Sequence, residues 1–185
     1  MVSVQERGRL LGRSRVPGAR DVYRKYVEEV KKLNSFSISR PYFTVGGRRI
    51  LIGSCDASPK AFSAVVYLRM KDEFGNLSCQ LVCSKTKVAP VKELTIPRLE
   101  LQSAVLLAEL ISPIQTVLNY ESFYFSDSTI VLSWLRRSPS NWQMLVSNRV
   151  SKVAALTGIS YLSYVPTKSN PADLATRGIS SRELL

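Results

Sequence analysis

The stretch FYFSDSTIVLSWL, residues 123–135, changes period partway along. It starts with the alternation of a strand, passes through Asp127, and leaves with the spacing of a helix. A strand feeding a helix sets the intervening residue at the carboxyl end of a sheet. An aspartate there can cap or start a turn, or it can serve as a ligand at the mouth of the sheet. Both readings are open from this stretch alone, and the rest of the chain has to decide between them.

The flanking segments predict one α/β domain. RRILIGSCDAS (48–58) reads as an apolar strand ending at Asp56, and AFSAVVYLRMK (61–71) as a second strand. DEFGN turns the chain into a third strand, LSCQLVCSKTKVA. LTIPRLELQSAVLLAELISPIQTVL reads as a long helix with Thr95 as N-cap and Pro97 in its first turn, where a missing N–H costs nothing. Pro113 inside that pattern predicts a kink or break near Ile111. ESFYFSDS is the fourth strand and STIVLSWLRRS a short helix. A further helix runs at least from Val146 to Gly158, followed by a fifth strand, ISYLSYVPT, and a closing helical turn, NPADLATRG. The order βββαβααβα implies a mixed five-stranded sheet flanked by helices.

Ahead of this body, residues 1–20 read as a basic arm without periodicity. Tyr23, Tyr26, Val27, Val30 and Leu33 mark a helix with Asp21 placed to cap, and SISRPYFTVGG reads as a linker. The N-terminus has no continuous apolar region of a secretory signal. It is Arg-rich and acid-poor, as transit peptides are, but it has few serines and no clear amphipathic helix. No apolar run is expected to reach the roughly 18–20 residues of a membrane span.

Charge and residue type narrow the chemistry. The net charge is +12. Residues 1–49 carry 12 Lys/Arg against 4 Asp/Glu, and residues 50–185 carry 14 against 10. Such a balance fits a solvated basic segment or attraction to a polyanion. There is no histidine, which excludes Ser-His-Asp, Cys-His and HExxH chemistry. The three cysteines, Cys55, Cys79 and Cys83, lack the paired spacing of a zinc site and read as core thiols.

Four acids are placed where acids are costly. Asp56 and Asp127 end apolar strands, and Asp173 opens the last helical turn directly after a strand. Glu100 shares a helical stripe with Ala104, Leu107 and Ile111. Each has a separate bland explanation as a cap, a turn residue or a partner of the helix dipole. Together they make an oxygen-rich, histidine-free set of the kind Mg²⁺ or Mn²⁺ prefers. Two such ions about 3.5–4 Å apart can drive phosphodiester hydrolysis.

At these residues the chain resembles a known family. CDASPKAFSAVVYLR, CSKTKVAPVKELTIPRLEL, FSDSTIVLSWLRRSPSNWQMLVSNRV and VPTKSNPADLATRG, in order across residues 48–179, resemble the RNase H-like region of BEL/Pao retrotransposon polyproteins. The resemblance implies a ribonuclease H-like fold over residues 48–185. It also implies hydrolysis of the RNA strand of RNA/DNA hybrids, with Asp56, Glu100, Asp127 and Asp173 as catalytic acids holding two Mg²⁺ or Mn²⁺ ions. Residues 21–47 would be the tail of a reverse-transcriptase region. The implied partners are that region and an integrase region of the same polyprotein, with no membrane. The implied location is a cytoplasmic retroelement particle, or the nucleus. Cellular relatives carry a histidine before the last aspartate that aids turnover, and this chain has none.

Phosphate contacts to the hybrid are expected from Arg98, Ser58, Ser128 and Thr129. Arg136, Arg137, Arg149, Lys152, Lys168 and Arg177 are further candidates, for which a solvated face is the alternative. Trp134 and Trp142 could stack on bases, with core packing the alternative for Trp134. The rival reading of the whole is a non-catalytic RNase H-like module that binds nucleic acid or connects domains.

Overall fold

A computed structural model of the chain describes residues 18–32, 37, 47–92, 94–157 and 162–178. The chain divides into two compact units, residues 1–38 with 179–185, and residues 39–178. In the first, the described element is helix α1, Ala19–Lys32. The expected apolar stripe is there, but Val22, Tyr23 and Tyr26 stand well exposed and no residue of α1 is buried. Asp21 lies in the first turn, paired with Arg24, and so does not cap the helix. The basic arm up to residue 17, Leu33, most of the 37–47 linker and Gly158 lie outside the described residues.

The second unit carries strands β1 (Arg48–Ala57), β2 (Ala61–Lys71) and β3 (Leu77–Val88), then helix α2 (Ile96–Leu118). Strand β4 (Glu121–Ser126), helices α3 (Thr129–Leu135) and α4 (Met144–Thr157), strand β5 (Leu162–Tyr164) and the short helix α5 (Asp173–Arg177) complete it. The turn after β2 works as its composition predicts. The Asp72 carboxylate accepts from the N–H groups of Phe74 and Asn76, and Gly75 takes φ +88°. The sheet order is β3-β2-β1-β4-β5; β2 is antiparallel to both β1 and β3, while β4 runs parallel to β1 and to β5. This is the mixed five-stranded sheet the sequence implied.

The core lies between the sheet and α2. Leu51 and Cys55 on β1, Val66 and Leu68 on β2, and Tyr124 on β4 meet Leu101, Leu107 and Ile111 of α2. The absence of a side chain at Gly53 is what lets α2 come so close. A Cβ at Gly53 would lie 2.7 Å from Leu107 Cδ1.

Five expectations are corrected. Helix α2 runs unbroken through Pro113, whose ring and whose i−4 residue, Glu109, both face solvent, so water can satisfy the freed carbonyl. Thr95 occupies the N-cap position, but its side chain makes no capping bond; its carbonyl accepts from Arg98 and Leu99 instead. Among the described residues β5 covers Leu162–Tyr164, and a 3₁₀ turn (Thr167–Ser169) separates it from α5, so Asp173 does not follow a strand directly. By length and composition α2 could cross a membrane. Its apolarity has a packing cause, since nine of its residues are buried against sheet and helix. Of the three cysteines only Cys55 is in the core; Cys79 is exposed because β3 is an edge strand.

Close approach at Gly53 makes a testable pair. Gly53→Val should destabilise by about 1–3 kcal/mol through overpacking, and Leu107→Ala by about 2–5 kcal/mol through a cavity. In the double variant the valine fills part of that cavity, so urea denaturation should read a loss smaller than the two single losses added.

Candidate active site

Parallel pairing of β1 with β4 creates the site. The last paired residues are Cys55 and Ser126. Asp56 and Asp127 come next on each strand, side by side at the carboxyl ends, with strands about 4.8 Å apart. Glu100 is the fifth residue of α2, and Asp173 opens α5. Four elements thus bring one carboxylate each toward the same end of the sheet.

Their fields overlap. Burial pushes the Asp56 carboxyl up; a hydrogen bond from Thr176 opposes this, and the charges of Asp127 and Asp173 add to it. Burial likewise raises Glu100, against a hydrogen bond from Ser128 and with further push from Asp127 and Asp56. The neighbouring Cys55 thiol is pushed up to about 12 by burial, which leaves it an inert core thiol.

Three of the acids are held by side chains from distant parts of the sequence, and Asp173 by one from its own helix. The Thr176 hydroxyl donates to Asp56 Oδ2. The Ser128 hydroxyl donates to Glu100 Oε2 at 2.6 Å while accepting from the Val131 N–H at 3.3 Å, so it caps α3 and fixes Glu100 together. Asn170, only 4 % exposed, is a hub. Its Nδ2 donates to the Cys55 carbonyl (3.0 Å) and to Asp127 Oδ1 (3.3 Å), and its Oδ1 accepts from Ser54 (2.9 Å) and the Ala172 N–H (3.2 Å). Arg177 Nε donates to Asp173 Oδ1 at 2.6 Å. Asn170 and Thr176 were not singled out from the sequence. Their only signal is that NPADLATRG brings polar residues into a short turn beside an acid.

The expected nucleic-acid contacts are placed unevenly. Ser128 is buried and committed to Glu100 and the α3 cap, so its hydroxyl is not offered to a phosphate. The Ser58 hydroxyl turns inward, donating to the Thr176 carbonyl (2.9 Å) and accepting from the Lys60 and Ala61 N–H groups. Thr129 is exposed at the start of α3, and Arg98 is half-buried two residues before Glu100. Trp134 and Trp142 pack on each other with centroids 6.2 Å apart, and Trp142 donates its Nε1–H to the Trp134 carbonyl.

Among the described residues no three His, Cys, Asp or Glu side chains converge closely enough to form a ready metal cage. The donor set nevertheless fits a hard divalent cation, being four carboxylates without nitrogen or sulfur. Two of them are raised by burial and by one another's charge. A cation held between them would relieve that repulsion.

The family model described as Pao retrotransposon-like RNaseH-like domain matches residues 17–128. No curated protein matches the sequence. Among solved structures, RNase H1 from the halophilic archaeon Halobacterium salinarum NRC-1 is 14% identical, with 75% of this chain and 98% of that one covered, at a TM-score of 0.42. LC11-RNase H1 in complex with an RNA/DNA hybrid is 13% identical, covering 75% and 100%, at 0.45. The foamy viral protease-reverse transcriptase in complex with dsDNA is 16% identical, covering 82% of this chain and 30% of that one, at 0.45.

The raised Glu100 carboxyl gives a pH signature. A folded state that holds this proton more tightly than the unfolded chain is fully stabilised by it below the ordinary carboxylate value of 4.5, and loses that stability as pH rises through the higher folded value. Glu100→Gln removes the penalty and keeps an acceptor for Ser128. Its Tm should exceed the wild type's at pH 7, with the gap closing as pH falls toward 4; a gap that widens in acid would reverse the assignment. Asn170→Ala strands several buried polar atoms and should cost roughly 1–3 kcal/mol in chemical denaturation.

Proposed function

The chain belongs to the Pao retrotransposon-like RNaseH-like domain family, and from its ribonuclease H-like fold we propose a metal-dependent endoribonuclease that hydrolyses the RNA strand of RNA/DNA hybrids. The observation that carries this reading is the pair Asp56 and Asp127 at adjacent parallel strand ends, with Glu100 and Asp173 in the same field. Asp56, Glu100, Asp127 and Asp173 would hold two Mg²⁺ or Mn²⁺ ions, which when bound supply an activated water and charge neutralisation at the leaving oxygen.

The chain's own residues orient the carboxylates. Thr176 fixes one oxygen of Asp56, Ser128 one of Glu100 and Asn170 one of Asp127. Each acid therefore keeps a second oxygen for a ligand, and the fixed one cannot swing away. Burial of Asp56 beneath α5 limits water around it, which strengthens its field at the reacting phosphate. With no histidine in the chain, proton transfer falls to carboxyls and water. Arg98 and Thr129, beside the acids, are the phosphate contacts. In a polyprotein the hybrid would come from the reverse-transcriptase region, in a retroelement particle.

One observation favours a second reading, a non-catalytic module that binds nucleic acid or connects domains. Asp173 is tied to Arg177 within its own helix, which competes with a cation for its oxygen.

Hydrolysis of a labelled RNA strand in a hybrid separates the two. With Mg²⁺ or Mn²⁺ the wild type should cleave, and Asp127→Asn should cleave at least ~100-fold more slowly, since losing a metal ligand costs no less than losing its supporting partner. A folded wild type that binds hybrid but leaves the RNA intact with both metals would select the module.

A further inference from the structure

A second charged feature lies apart from the acids, in a cleft of about 370 Å³ where β3, α2 and α4 meet. Glu109 of α2 stands at its centre. Lys152 of α4 donates to it at 2.6 Å, and this bond holds the Glu109 carboxyl below its usual range, helped by the charges of Lys152, Lys87 and Lys85. Arg149, one turn before Lys152, is fixed by donating Nε–H to Gln102 Oε1 and Nη1–H to the Leu145 carbonyl, each at 2.9 Å. Three lysines therefore act on one carboxylate, and Arg149 lines the same cleft. Neither Lys85 nor Lys87 forms an ion pair with a described carboxylate, and both are exposed on the edge strand. With one carboxylate against four cations, the cleft and its rim carry a surplus of three positive charges, a field that attracts an anionic ligand.

The register fixes where this cleft opens. Lys87 pairs with Phe62, and Phe62 with Ala57, the residue after Asp56. Lys87 thus lies at the same end of the sheet as the acids, two strands and roughly 10 Å away. Gln102 and Glu109 lie on the flank of α2 turned away from Glu100, about half a turn round the helix. The cleft is consequently distinct from the acid cluster but level with its edge. Planar guanidinium, mobile ammonium groups and the amides of Gln102 and Asn148 are donors that suit phosphodiester oxygens.

We propose that the cleft between β3, α2 and α4, with Lys85, Lys87, Arg149 and Lys152, binds backbone phosphates of the nucleic acid whose RNA strand is presented to the acid cluster. This rests on the nuclease reading for the identity of the nucleic acid, though not for the site. Phosphates held here set the position and tilt of the duplex and carry no sequence preference.

The test is equilibrium binding of a fluorescent RNA/DNA hybrid to the full chain in EDTA, over a series of salt concentrations. Lys85→Gln with Lys87→Gln should weaken binding roughly tenfold at low salt and flatten the log–log salt slope by about 1–2 units, the release expected for two lost phosphate contacts. Glu109→Gln removes the one carboxylate among the described residues lining the cleft and should tighten binding roughly threefold, a surface-charge effect. A gain from one variant and a loss from the other cannot both arise from misfolding. Unchanged affinity and slope in both variants would overturn the proposal, as would a wild type that ignores hybrid and instead binds poly-glutamate through these lysines. Lysine-dependent hybrid binding by a chain that never cleaves with Mg²⁺ or Mn²⁺ would keep the cleft and sink the nuclease.

Discussion

The parallel pairing of β1 with β4 is the constraint on which the site depends. It sets Asp56 and Asp127 one strand spacing apart at the mouth of the sheet, one of them 6 % exposed. Burial strips Asp56 and Glu100 of hydration and the neighbouring carboxylate charges add to this, which is why both hold their protons more tightly than free acids do. A fold selected for stability alone would place apolar or amide side chains here. The arrangement is tolerated because Asp56, Glu100 and Asp127 each have a buried polar partner, and those partners leave the remaining oxygens for a cation.

Asn170 is the junction of this support. It connects β1 through Ser54 and the Cys55 carbonyl, β4 through the residue that follows it, and the approach to α5 through Ala172. The Ser63 hydroxyl adds a bond from β2 to the Ala172 carbonyl. The short helix α5, five residues long, has too little apolar surface to anchor itself by packing. Polar ties to β1 and β2 do that instead. The segment that carries Asp173 is thereby docked by the same residues that orient Asp56 and Asp127, so support of the helix and alignment of the acids are one network.

Much of this was legible because it is local. β2 spans the residues 61–71 read as a strand, and Asp56 and Asp127 lie at strand ends as their position in apolar runs implied. The stripe that included Glu100 is buried at Ala104, Leu107 and Ile111. Other features escaped for physical reasons. A proline in a helix reads as a break, but on the solvent face of α2 water can replace the lost bond. Ser128 reads as a cap or a phosphate ligand. Its second bond, to Glu100, depends on how α2 crosses the sheet. β3 looks as apolar as a core strand, yet its edge position leaves Cys79 exposed.

The sequence by itself determined which elements form and which acids stand at their ends, because periodicity, turn chemistry and a charge on an apolar stripe are all set within about ten residues of chain. It also determined what chemistry was excluded, since a side chain that is absent, such as histidine, is absent from every fold. Only the tertiary structure decided what holds the acids. Thr176 reaches Asp56 across 120 residues, Asn170 reaches Asp127 across 43, and Ser128 reaches Glu100 across 28. Hydrogen bonds of that span are made by the order of strands in the sheet and the crossing of α2, and no local pattern encodes them.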